Sequence, residues 1–184
     1  LNLQGLNTYI GNTTISGGLI NIDQLNNLGA YTANAVVGTL FLSGGGIQWA
    51  TNYSSLTNNL TGNSNALSGD NGDISARMGG ATGNTITANS TLDTNGNNIT
   101  LSALPLSGSN VTLTKAGTGM LTLANNLVWA ANLQSLSAKL GNVSITGGTL
   151  QLGNGTGGRH TNASISSILL NSADTGSLVL SEPG

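Results

Sequence analysis

The feature that most constrains this chain is a strict alternation that never runs long. Apolar and mostly polar residues alternate in bursts of three to five, as in Thr39-Leu40-Phe41-Leu42, Ile99-Thr100-Leu101 and Val111-Thr112-Leu113. Leu121-Thr122-Leu123, Val143-Ser144-Ile145, Leu150-Gln151-Leu152 and Leu178-Val179-Leu180 repeat the pattern. Side chains on a strand point alternately to its two faces, so each burst predicts a short strand with one apolar face. Between the bursts stand Gly-Gly, Asn-Gly, Gly-Thr-Gly or Asn-Asn, residues that turn a chain sharply. Sandwich strands are spaced about 8–12 residues apart and run antiparallel. Strands this short and frequent predict an all-β chain of another kind, a right-handed parallel β-helix (β-solenoid) with three short strands per coil.

Self-similarity supports that expectation. Thr13-Thr14-Ile15-Ser16-Gly17-Gly18-Leu19-Ile20-Asn21-Ile22 recurs as Asn142-Val143-Ser144-Ile145-Thr146-Gly147-Gly148-Thr149-Leu150-Gln151-Leu152. A looser copy runs from Gly38 to Trp49 through Gly44-Gly45-Gly46. Each reads strand, glycine corner, strand, which makes Gly17, Gly18, Gly147 and Gly148 structural residues. With roughly 20–25 residues to a coil, the chain would make roughly eight coils and, at about 4.8 Å per stacked strand, a rod about 40 Å long. The whole of 1–184 then reads as one β-solenoid segment of a longer secreted polypeptide.

Two stretches break the rhythm. Residues 53–72 are rich in Asn, Ser and Gly and predict a loop insertion. Residues 127–141 predict a second, non-repeat insertion. Leu133, Leu136 and Leu140 stand there at helical spacing before Gly141, which suggests a short surface helix near 131–140.

Composition narrows the function classes. Charged residues are 5% of the chain, against about 25% in an ordinary soluble domain. Asn, Thr, Ser and Gly together make up about half of it, and their short side chains lose little entropy on ordering. The 38% hydrophobic content is enough for a core, which argues against disorder. Four basic residues in all cannot neutralise a run of phosphates, so nucleic acid is excluded as a partner. No apolar run approaches the roughly 20 residues of a membrane-spanning helix, so no direct membrane insertion is expected of this segment. Without cysteine there are neither disulfides nor zinc-thiolate sites.

Catalytic chemistry is sparsely supplied. The acids are Asp23, Asp70, Asp73, Asp93, Asp174 and Glu182, and only Asp70 and Asp73 lie close together, beside glycine, where Asp usually forms turns. His160, the single histidine, follows Gly157-Gly158-Arg159 in a predicted loop. No nucleophile elbow surrounds any serine, and no calcium nonapeptide series is present. We therefore expect no enzyme, cofactor or metal. Asp73 and Arg77 are expected to pair and buttress the point where the 53–72 insertion rejoins the rod. Trp49 shares the parity of Ile47 and should be core. Tyr53 and Trp129 lie in the insertions, where exposed rings could stack on a partner such as a sugar. Thr85/Thr87 and Thr112/Thr114 form Thr-x-Thr pairs, too few for an ice-binding array.

One string is more specific. Leu113-Thr114-Lys115-Ala116-Gly117-Thr118-Gly119-Met120-Leu121-Thr122-Leu123 resembles the autotransporter-associated β-strand repeat, whose pattern runs LTKxGxGxLTLxG. Asn7 to Gly18 is similar to its continuation, and Asp73-Ile74-Ser75-Ala76-Arg77 and Leu92 to Ile99 resemble segments of its longer versions. The chain departs from the pattern after Leu123, in 53–72, and at Phe41, which replaces a polar outward residue. The resemblance implies a β-helical passenger region exported across a bacterial outer membrane through a C-terminal β-barrel. The expected role is a structural or adhesive stalk on the bacterial cell surface, self-associating into fibres or aggregates, because a charge-poor surface offers little repulsion. Its partners would be itself, a neighbouring or host cell surface, or a glycan. The competing expectation is a glycan-binding or glycan-cleaving β-helix of the polysaccharide-lyase kind.

Overall fold

The computed structural model describes residues 1–32, 35–36, 38–51, 53, 72–78, 85–101, 110–123, 142–153, 167–170 and 176–180. Short strands dominate them. In chain order these are β1 (Asn2–Leu3), β2 (Thr13–Ile15), β3 (Leu19–Ile22), β4 (Tyr31–Thr32), β5 (Ala35–Val36), β6 (Leu40–Ser43), β7 (Gly46–Trp49) and β8 (Ile86–Ala88). They continue as β9 (Ser90–Asp93), β10 (Ile99–Leu101), β11 (Thr112–Ala116), β12 (Met120–Leu123), β13 (Asn142–Ile145), β14 (Thr149–Leu152), β15 (Ser167–Leu170) and β16 (Ser177–Leu180). Two 3-10 turns, Leu25–Leu28 and Ser75–Arg77, interrupt the strands. All seven bursts singled out by alternation fall on strands, with ends shifted by up to three residues.

Three of the four sheets are wholly parallel. Seven strands pair in the order β1-β3-β7-β9-β11-β13-β15, four as β10-β12-β14-β16, and three as β2-β6-β8. The exception is the antiparallel β4–β5 hairpin. Apart from that hairpin, consecutive described strands join different sheets, so parallel neighbours are distant in sequence. At β8, β9 and β10 the chain visits all three parallel sheets in turn.

Register turns the alternation into columns. Ile20, Ile47, Leu92, Lys115 and Ile145 are paired in succession across the seven-stranded sheet. Ile15, Leu42 and Ile86 form a second column, and Ile99, Leu121 and Leu150 a third. Apart from the partly buried Ile20, these residues are buried, and their aliphatic members belong to one continuous core. Each Leu or Ile so buried is worth about 1.5–3 kcal/mol. The stacking also removes most backbone N–H and C=O groups from water.

The levels are unevenly spaced, unlike the regular 20–25 residues expected. Asn21 meets Gln48, 27 residues away, but Gln48 meets Asp93, 45 residues away. β7 pairs directly with β9, and β8 between them joins another sheet. Among the described residues the seven strands of the largest sheet, at about 4.8 Å apart, span about 29 Å. The expected 127–141 insertion and helix near 131–140, and residues 54–71 of the expected 53–72 loop, lie outside the described residues.

Asparagine has a recurrent task in this architecture. Asn12 Oδ1 accepts the N–H of Thr39 at 2.8 Å, Asn89 Oδ1 that of Thr112 at 2.8 Å, and Asn98 Oδ1 that of Met120 at 3.0 Å. In each case a side chain at the start of one strand satisfies a backbone donor at the start of the next level.

Candidate functional site

Polar side chains converge along the edge formed by the C-terminal ends of β3, β7 and β9 in the seven-stranded sheet. Asn21, Gln48 and Asp93 occupy successive levels in register. Asn21 Nδ2 donates to Gln48 Oε1 at 3.0 Å, and Gln48 Nε2 donates to Asp93 Oδ2 at 2.7 Å. Asp93 Oδ1 accepts the Asn95 N–H at 2.9 Å, the local turn expected of Asp in Leu-Asp-Thr-Asn-Gly. Beyond this turn Asn95 Nδ2 donates to Trp49 O at 3.0 Å, and buried Asn97 donates to Ala50 O and Thr94 O.

Lys115 is the most unusual member. It occupies a core column between Leu92 and Ile145 and is 1% exposed. Its Nζ donates to Thr94 Oγ1 at 3.0 Å, Ala116 O at 2.8 Å, Gly117 O at 2.9 Å and Gly147 O at 3.0 Å. Those oxygens come from three consecutive corners. Burial lowers the Lys115 pKa from 10.5 to about 8, against the opposing pull of the Asp93 carboxylate, which raises it. Sequence reasoning passed over this residue, although a signal was present: Lys115 shares the inward parity of Leu113.

The second buried cation is Arg77. Its guanidinium donates through Nη1 to Leu28 O at 2.9 Å and through Nη2 to Gly29 O at 2.9 Å and Ala30 O at 3.3 Å. A planar fork suits such a row of carbonyls. Asp73 Oδ1 accepts the Ser75 N–H at 2.9 Å and so opens the 3-10 turn that carries Arg77. Arg77 thus ties the 3-10 turn to the carbonyls of residues 28–30, partners that the expected pairing of Asp73 with Arg77 did not name.

The aromatic residues sort by burial. Trp49 is buried, as its parity predicts, with its indole N–H donating to Gly72 O at 3.1 Å. Tyr53 corrects the sequence reading: at 2% exposure its ring packs in the core and presents no face to a sugar or another partner. Trp129, Asp70, His160, Asp174 and Glu182 lie outside the described residues.

Chemically, this edge binds backbone. Asp93 and Lys115 are brought near each other, but the contacts around them are those of turns and carbonyls. Among the described residues no three His, Cys, Asp or Glu side chains stand close enough together to hold a metal ion. No helix among them is long and apolar enough to cross a membrane. Comparison of the chain with protein-family models, with curated proteins and with solved structures gave no match.

Proposed function

We propose that this chain is a segment of right-handed parallel β-helix that serves as a structural or adhesive stalk, a passenger displayed on a bacterial cell surface, and that it associates with copies of itself. The observation that carries the reading is the run β8–β9–β10. One turn of chain supplies one short strand to each of three parallel sheets, and each strand pairs with another level. A chain built that way spends its polar side chains on neighbouring levels, as Asn12, Asn89, Asn98, Gln48 and Lys115 do. The outward positions of β11, β13 and β14 carry Thr, Ser and Gln rather than charges, which favours lateral contact.

Glycan cleavage is the weaker reading. It requires a converging pair of carboxyl groups, whereas Asp73 and Asp93 are each engaged in their own turn.

The self-association arm is tested by sedimentation velocity of the purified chain over a hundredfold range of concentration. Growth of large species with concentration is expected; a monomer throughout would sink it. Surface display is tested by protease treatment of intact cells expressing the longer polypeptide, where survival of this segment would count against exposure.

A further inference from the structure

We propose that the three stacked corners at 94–96, 116–119 and 146–148 form a binding site for a primary amine, which the chain fills from within by Lys115. The site is an oxygen cage. One hydroxyl and three backbone carbonyls surround a single nitrogen at 2.8–3.0 Å. Thr94 sends its own hydroxyl proton to Ala116 O at 3.2 Å, so its lone pairs are left facing the nitrogen. Uncharged oxygens arranged around a point suit an ammonium better than a divalent metal, which favours carboxylate ligands. Asp93, the one acid beside the cage, has its oxygens turned to Gln48 and Asn95. A guanidinium fork would not fit, because the acceptors come from three levels rather than one row.

The position supports the same inference. Every other buried member of the column through Lys115 is aliphatic, so a side chain chosen for packing alone would be Leu or Ile. Lys115 instead buries its stem among them and carries its nitrogen to the corners. At neutral pH that nitrogen keeps its proton and supplies three N–H groups to the cage.

The cysteine-free chain allows a clean test. K115C is alkylated in denaturant with either 2-bromoethylamine, which rebuilds an amine of lysine length, or iodoacetamide, which leaves a neutral amide, and is then refolded. The aminoethyl form is expected to melt within about 2 °C of the parent, and the amide form roughly 5–10 °C lower. In parallel, K115A is melted in n-butylammonium chloride and in tetramethylammonium chloride at equal concentration. K115A should gain several degrees, or fold at all, only in n-butylammonium, while the parent is indifferent. Equal melting of the two alkylated forms, or K115A showing no preference for n-butylammonium, would overturn the proposal. This inference does not depend on surface display and could fail or stand without it.

Discussion

The corners at Gly17–Gly18 and Gly147–Gly148 are copies of one motif, and their second glycines adopt nearly the same backbone angle, φ 64° and 63°. Their surroundings differ completely. A methyl group added at Gly18 would meet nothing within 4 Å. The same group at Gly148 would lie 2.3 Å from Gly119 O and 2.5 Å from Gly117 O. The glycine at the first corner is required by its dihedral alone; at the second it is required by its neighbour as well. Only the second corner also contributes a carbonyl to Lys115. Stacking therefore makes one copy of a repeat intolerant and leaves the other permissive, a difference with no counterpart in the local sequence.

The sharpest way to break this comparison is Gly148→Ala. Positive φ and overlap with a backbone oxygen should together destabilise the chain by about 3–5 kcal/mol in urea unfolding. A loss no larger than that of Gly18→Ala would mean the levels are not in contact at this corner.

Next in size is Arg77→Met, which asks whether carbonyls at an irregular bend depend on a cation as those at the corner do. Loss of the donors to Leu28, Gly29 and Ala30 should remove about 3 kcal/mol. A change within experimental error would show that the bend holds itself.

The titration of Lys115 gives a third test. The folded chain releases this proton near pH 8, whereas an unfolded lysine keeps it until about 10.5. Between those values the unfolded state binds more protons, so stability must rise with pH. The gain should be about 2 kcal/mol from pH 7.5 to pH 9.5, and it should vanish in Lys115→Met. Parallel pH profiles for the two proteins would contradict the assignment. Asp93 is the charged group facing Lys115, and Asp93→Asn should move the rise to lower pH.

The smallest effect is expected at the permissive corner. Gly18→Ala should lose only about 1 kcal/mol, the penalty of a left-handed residue bearing a β-carbon. A loss matching Gly148→Ala would erase the contrast between the corners.

Much of this organisation was legible beforehand. Leu121-Thr122-Leu123 and Val143-Ser144-Ile145 predict their strands because alternation is a local property of the extended chain. Trp49 was legible from its parity with Ile47. Tyr53 was not: it falls where alternation stops, and its burial depends on packing that no nearby pattern encodes. Lys115 was half legible, since parity pointed it inward, but two of the four oxygens that make burial tolerable come from residues 21 and 32 positions away.

The sequence by itself determined an all-β chain of short strands, the turns between them, and which face of each strand is apolar. It did so because side-chain alternation and glycine's freedom act over a few residues. Only the tertiary structure decided which strands become neighbours, which Gly-Gly corner can bear no side chain, and where two cations find carbonyl partners. Parallel pairing joins residues tens of positions apart, and those contacts depend on how many residues lie between levels, a length that local pattern leaves open.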